Sequence, residues 1–353
     1  MPAPSPPAPH PAAAGSAMTH RAPGAETRCG AARPAGIAGL HRRRDAVSAG
    51  VGDDEIRRRC AIGSWRRVRR GAYAETSVLA DLDGVARHRL TVAALLPEMA
   101  ADAVVSHQSA AVLLGAPMSP ALLDRVHVTR DRRYGGRIKP NLAVHCAPVG
   151  VVAERHGLLV TTPARTVVDL ARTLPFESAV VVGDALAREF GLTAPALARE
   201  LAWARGRRGV DGARHVIGFL DPRSAGVDHS RIRVLLRLLG FPPADAGGVI
   251  HADDGQVLGT ADLYLGRTGV VLEVDGHPPG RARAHGCPSR RPQDAVLRRY
   301  GFQSIRTTWR GLSTGSTAER VHAALSRARE QRPRGYIRPA ALPAPAPLRL
   351  RAL

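Results

Sequence analysis

Three carboxylates in the run ADLYLGRTGVVLEVDG, Asp262, Glu273 and Asp275, have the types and spacing of a divalent-cation centre. Glu273 and Asp275 alternate with Leu272 and Val274, so on a strand both acids point to one face. Asp262 lies on the preceding stretch, which reads as the paired strand. A Mg²⁺ ion takes oxygen ligands at about 2.0–2.1 Å and keeps several waters, so one or two carboxylates suffice. Asp262 and Glu273 would then hold the metal, with Asp275 as a third polar group. The ion would activate a water and stabilise charge on a scissile phosphate. The plainer expectation for the same residues is an ion-paired strand among many arginines. Both readings stay open at this level.

The elements around the acids follow from pattern. SRIRVLLRLLGFP has the spacing of an amphipathic helix, and GGVIHADDGQVLGTADLYLG reads as a hairpin turning at Asp253-Asp254-Gly255. TGVVLEVDG is a strand, RRPQDAVLRRYGF a helix and QSIRTTW a last strand. Between strand and helix lies HPPGRARAHGCPSRRP, where His277, His285 and Cys287, with His251 as a fourth ligand, would make a tetrahedral zinc site. That run holds one cysteine, and its plainer reading is a polar surface loop.

The whole chain of 353 residues carries 51 Lys+Arg against 30 Asp+Glu, a net charge of +21, which makes a polyanion the default partner. Lys139 is the single lysine, and with abundant Ala, Gly and Pro this also fits GC-rich coding, which raises arginine without selection for binding. Cys29, Cys60, Cys146 and Cys287 form no C-x-x-C pair, so reduced thiols are expected rather than a disulfide framework. No run reaches the roughly 18 apolar residues of a membrane helix, and the N-terminus lacks a compact apolar segment, so a cytoplasmic location is expected. Residues 1–38 are Pro/Ala-rich without periodicity and are predicted to be disordered, with Met18 as an alternative start. Residues 331–353 read the same way, as a flexible basic tail.

Residues 39–76 open with LHRRRDAVSAG, a helix closed by Gly50. DDEIRRRCAIG follows as a second helix with Asp53 or Asp54 at its N-cap, and SWRRVRRGAYAE as a basic hairpin. That order predicts a winged helix-turn-helix. Its DNA contacts would be Arg57, Arg58 and Arg59 on the helix and Arg66, Arg67, Arg69 and Arg70 on the wing. Residues 77–222 alternate helix and strand: DGVARHRLTVAALLPEM, DAVVS, SHQSAAVLLG capped by Ser106, then RVHVTRDRRYGGRIKPNLAVHCA as a hairpin with a basic tip. GLLVTTPARTVVDLAR is a strand running into a helix, with Thr162 at the N-cap and Pro163 at the first helical position. His107 and Arg165 sit near helix starts, where an anion could bind, and are read as satisfying local caps.

The three runs AGVGDDEIRRRCAIGSWRRVRRGAYA, VVSHQSAAVLLG and VTTPARTVVDLAR, in this order, resemble the AbiEi-type antitoxin family over residues 39 to 220. The resemblance implies a DNA-binding transcriptional repressor, paired in some members with a nucleotidyltransferase-type toxin. Residues 223–330 resemble the endonuclease-like domain related to very-short-patch repair enzymes, of the PD-(D/E)xK fold. GVVLEVDG followed by D-A-x-L-x-x-x-G-F carries that resemblance. It implies Mg²⁺-dependent cleavage, with two departures. Asp275 stands where the broader fold has a lysine, and His229 where relatives have a glutamate before the Ser-Arg run. The expected class is therefore multi-domain α/β: a winged helix, a mixed α/β middle domain and a restriction-endonuclease-like C-terminal domain. The expected function is regulation through double-stranded DNA with a degenerate nuclease fold, or alternatively a Mg²⁺-dependent DNA endonuclease.

Overall fold

The chain is mixed α/β, built on three sheets, in a computed structural model that describes residues 39–275 and 294–353. The expectations for residues 1–38, Met18 and Cys29, and for the candidate zinc ligands His277, His285 and Cys287, lie outside the described residues.

The first sheet is small. β1 (Leu40–Arg42) leads into α1 (Arg43–Ser48) and α2 (Asp53–Ala61), followed by β2 (Trp65–Arg69), β3 (Ala72–Glu75) and α3 (Thr76–Asp81). The strands pair antiparallel in the order β1-β3-β2. Leu40, expected on the first helix, is a strand residue instead, because the chain pairs with Ala72–Ala74 before it coils. Trp65 is the anchor, buried with Ala46 and Ile56 under the His41 ring, stacked at 4.2 Å. Gly52, not Asp53 or Asp54, is the N-cap of α2; the Asp53 carboxylate accepts from the Arg43 guanidinium instead.

The second sheet holds seven strands. The order along the chain is α4 (Gly84–Leu95), β4 (Ala103–Val105), α5 (His107–Leu113), β5 (Val126–Arg130), β6 (Arg137–Lys139), β7 (Leu142–Cys146), β8 (Val151–Arg155) and β9 (Leu158–Thr161). Four helices follow, α6 (Pro163–Ala171), α7 (Phe176–Phe190), α8 (Ala194–Trp203) and α9 (Val210–Phe219). The expected hairpin between β5 and β7 is not formed. β5 and β7 run parallel, and β6 turns back antiparallel on β7. α6 begins as its sequence dictates, the Thr162 hydroxyl accepting from the Arg165 N–H and Pro163 in the first turn. Its apolar face, with that of α5 and α7, buries Val112, Val167, Leu170 and Leu186 against the sheet.

The third sheet has the order β13-β12-β11-β10-β14. Its elements are α10 (Val227–Leu238), β10 (Ala244–Ala252), β11 (Val257–Leu265), β12 (Val270–Val274), α11 (Asp294–Arg299), β13 (Gln303–Thr307), α12 (Trp309–Ser313), α13 (Ser316–Glu330) and β14 (Gly335–Pro339); β15 (Arg349–Ala352) ends the chain. β12 is buried along its whole length, as a central strand covered on both faces should be. Ile232, Leu236 and Val321 cover one face, Leu297 and Phe302 the other.

A polar network joins α7 to α10. Asp184, buried, accepts from Ser230 Oγ at 2.7 Å and Arg233 Nη1 at 3.0 Å, and Arg233 Nη2 donates to the Phe219 carbonyl at 2.8 Å. Burial pushes the Asp184 carboxyl up to about 6, against the opposing pull of Arg233.

Residues 331–353 are not the flexible arm that composition suggests. β14 pairs with β10, and β15 pairs with β8 of the other sheet. Ile337 and Leu348 anchor the two ends in the apolar clusters of their sheets. Pro343, Pro345 and Pro347 fall in the extended crossing between them, where their missing N–H costs no ladder bond, and the Ala346 N–H donates to the Glu189 carbonyl at 2.7 Å. No helix among the described residues is long and apolar enough to cross a membrane.

Candidate functional site

Asp262 and Glu273 lie on adjacent strands one step beyond the paired residues Leu263 and Leu272. Each is engaged locally. The Val274 N–H donates to Asp262 Oδ2 at 2.8 Å, where β12 begins to part from β11. Arg306, opposite Glu273 in the parallel β12–β13 register, donates from Nε to Glu273 Oε2 at 3.2 Å. The Asp275 N–H continues the ladder to the Thr307 carbonyl. Among the described residues these three acids do not bring three ligand atoms within 4.8 Å of one another. His229 is buried on the first turn of α10. His251, the fourth candidate zinc ligand, stacks on Tyr336, and its Nδ1 lies 3.3 Å from the Gly255 carbonyl oxygen.

The seven arginines expected to contact DNA divide into two sets. Arg57 pairs with Asp54, Arg58 and Arg59 with Glu55, and Arg59 also lies over the Trp65 ring. These guanidiniums hold the Glu55 carboxyl down at about 2. Arg69 turns inward, donating to the Ala94 carbonyl and pairing with Glu98 at 2.8 Å, so it docks the hairpin on α4. Arg66, Arg67 and Arg70 are exposed, and no ion pair among the described residues involves them. A β-bulge between Arg67 and Arg69 accounts for the switch of direction along β2.

A second concentration of charge lies in the seven-stranded region. His107, His127 and His145 come from α5, β5 and β7, and one nitrogen of each lies within 4.8 Å of the others. His127 Nδ1 is 3.0 Å from His145 Nε2, and the His107 and His145 rings stack at 3.8 Å with planes 16° apart. His107 has φ 51, a left-handed conformation uncommon for histidine, and its Nδ1 lies 3.0 Å from Ser106 Oγ. Ser106 is thus occupied by its neighbour and gives no side-chain cap to α5. Burial drives all three imidazoles toward the neutral form, His127 down to about 4 and His107 well below its ordinary value; their mutual repulsion adds to the effect on His107 and His127.

His107 and His145 open onto a cavity of about 630 Å³ that five arginines line, against the single carboxylate of Asp169. Asp169 accepts from Arg165 Nε at 2.8 Å and from Arg172 Nη1 at 3.3 Å, two successive turns of α6 placing all three on one face. Arg165 Nη1 also donates to the Pro148 carbonyl, and Arg172 Nε to that of Arg208. Gly209 makes that last approach possible: φ is 82, and a Cβ there would lie 2.2 Å from the Arg172 carbonyl oxygen.

His107 and Arg165, read from sequence as two separate local caps, therefore line one cavity. His145 and Arg207 carried no spacing signal, because parallel pairing and the α8–α9 turn bring them there, whereas Asp169 and Arg172 follow Arg165 at the helical spacing that could have found them.

No family model matches the chain. Two curated proteins of Mycobacterium tuberculosis, from strains CDC 1551 / Oshkosh and ATCC 25618 / H37Rv, are each 32% identical to it over 126 residues. Both are described as uncharacterized; the match covers 35% of this chain and 46% of theirs, so the chain spans just under half the length of these relatives.

Proposed function

We propose that the chain is a cytoplasmic DNA-binding transcriptional regulator of the AbiEi antitoxin type, whose C-terminal region descends from a nuclease and serves binding. The observation that carries this reading is the hairpin β2–β3, where Arg66, Arg67 and Arg70 stand exposed without acidic partners among the described residues, beside a helix of the size a major groove admits. A net charge of +21 supports a polyanionic partner. A nucleotidyltransferase-type toxin is a proposed partner on the sequence resemblance alone.

The acidic strands fit Mg²⁺ chemistry poorly. Arg306 already neutralises Glu273, a backbone N–H occupies one Asp262 oxygen, and Asp275 replaces the lysine that would assist a water. The alternative of a DNA endonuclease rests on one observation, the placement of Asp262 and Glu273 on neighbouring strands at adjoining positions.

Fluorescence anisotropy on a duplex over a salt series tests the first reading. Each phosphate contact contributes about −0.9 to the slope of log K against log salt. Replacing Arg66, Arg67 and Arg70 by alanine should weaken binding and flatten the slope by about 2–3. An unchanged slope sinks the assignment. Supercoiled plasmid with Mg²⁺ or Mn²⁺, beside a Glu273→Ala protein, tests the second: nicking lost in the variant would establish an enzyme.

A further inference from the structure

The cavity beside the three histidines has too much positive charge for its own carboxylates. Asp169 is shared by Arg165 and Arg172. The guanidinium of Arg207, a half-buried residue, has no hydrogen-bond or ion-pair partner among the described residues, and Arg137 and Arg208 stand at the rim without acids. Glu200 on α8 makes no ion pair with these guanidiniums among the described residues, and burial raises its carboxyl against the opposing pull of Arg165. The Arg172 and Arg207 guanidiniums are held below their ordinary pKa, first by burial and then, beside the opposing pull of Asp169, by repulsion from neighbouring guanidiniums. Desolvated positive charge left uncompensated is costly, and a bound anion would relieve it.

Two ligand classes can be weighed against this geometry. Three neutral imidazoles within 4.8 Å invite a transition metal, since Zn²⁺ binds ring nitrogens at about 2.0–2.1 Å. The face-to-face stack of His107 on His145 opposes it, because an ion shared by parallel rings would lie out of both ring planes. The surrounding guanidiniums oppose it more strongly, since a dication would enter a field already positive. An anion meets the reverse situation. Guanidinium forks match the oxygens of a phosphoryl group, which carries about −1.5 to −2 charges. A carboxylate would use one fork; a tetrahedral group can use several at once.

We propose that this cavity binds a phosphate monoester of mononucleotide size, its phosphoryl oxygens held by Arg207, Arg172 and Arg165 and flanked by the ring of His145. The volume of about 630 Å³ lies within the range of small-molecule sites and exceeds what inorganic phosphate alone would fill. Asp169 positions Arg165 and Arg172 rather than touching the ligand.

Isothermal titration of the full chain with AMP, adenosine and inorganic phosphate tests this at constant ionic strength. AMP and phosphate should bind and adenosine should not. Arg207→Gln should weaken AMP at least about tenfold, the loss expected for one charge-assisted contact, while Arg329→Gln, which removes the same charge from an exposed position on α13, should leave it unchanged. Arg207→Lys should retain part of the affinity, separating lost charge from lost fold. A 5′-phosphorylated oligonucleotide binding more tightly than its unphosphorylated twin, with the same dependence on Arg207, would keep the phosphoryl assignment and identify nucleic-acid ends as its source. Adenosine binding as well as AMP, or equal losses in Arg207→Gln and Arg329→Gln, would overturn the proposal. So would stoichiometric Zn²⁺ binding abolished by His145→Gln in a protein that ignores phosphate.

Discussion

The acidic strands and the histidine cavity treat charge in opposite ways. On β11 and β12 the carboxylates of Asp262 and Glu273 each meet a donor from the adjoining strand, the Val274 N–H for Asp262 and Arg306 for Glu273. In the cavity five guanidiniums face one carboxylate at its wall. The first place looks catalytic in the sequence and is internally balanced in the fold. The second shows in the sequence only as His107 and Arg165 at two helix starts, and is out of balance. Uncompensated charge, rather than a familiar spacing of acids, is the better pointer to a ligand.

The largest test of that contrast is Asp169→Ala. It leaves two buried guanidiniums without their shared partner and should cost about 3–5 kcal/mol in urea unfolding. A loss under about 1 kcal/mol would mean the arginines relax into solvent and that no charge surplus is held.

The pH dependence comes next. His107, His127 and His145 titrate in the unfolded chain near the ordinary value but lower in the fold, His127 at about 4. The unfolded state therefore binds more protons across that window, and stability is lost as pH falls from 6.5 toward 4. Asp184 acts oppositely: raised to about 6 in the fold, it binds its proton more tightly there than when unfolded, so between pH 4 and 6 acid favours folding. His127→Gln should reduce the acid loss by up to about 3 kcal/mol at pH 4, and Asp184→Asn should deepen it. Melting curves across that range check both; identical slopes in all three proteins would refute the assignment.

Gly209→Ala should cost about 1–3 kcal/mol or more, from a left-handed backbone and the contact with the Arg172 carbonyl. Because the same turn carries Arg207, AMP affinity should fall with stability, whereas duplex DNA binding through the hairpin should not. The smallest expected effect separates the roles of Asp262. Asp262→Asn keeps an acceptor for the Val274 N–H and should change stability by less than about 1 kcal/mol; Asp262→Ala leaves that donor unsatisfied and should cost about 1–3 kcal/mol. Equal costs for the two would mean the carboxylate charge itself matters, which would restore interest in a metal.

Local signals in the sequence read well. Thr162 and Pro163 mark the start of α6, the alternation around Glu273 marks β12, and Trp65 with Tyr73 marks the hairpin. The α/β class follows from the same patterns. What the sequence hides is pairing across distance. The run from Arg125 to Ala147 reads as one hairpin because nothing in its pattern distinguishes β5–β7 parallel pairing, with β6 as the returning strand, from a simple reversal. That difference sets His127 beside His145 and so creates the cluster. Asp53 misleads for a different reason: an N-cap residue type is drawn to a closer cation, Arg43.

The Pro-rich crossing between β14 and β15 has a consequence for the stability of the protein in storage and in the cell. β14 closes the outer side of β10 and β15 that of β8, so one short stretch of chain shields a margin of two different sheets. A single proteolytic nick ahead of Gly335 would release both strands together and bare two rows of unpaired N–H and C=O groups, each a template for strand addition by another molecule. Clipped material would self-associate, and fibrous or amorphous aggregate would report loss of this one segment before any core had unfolded.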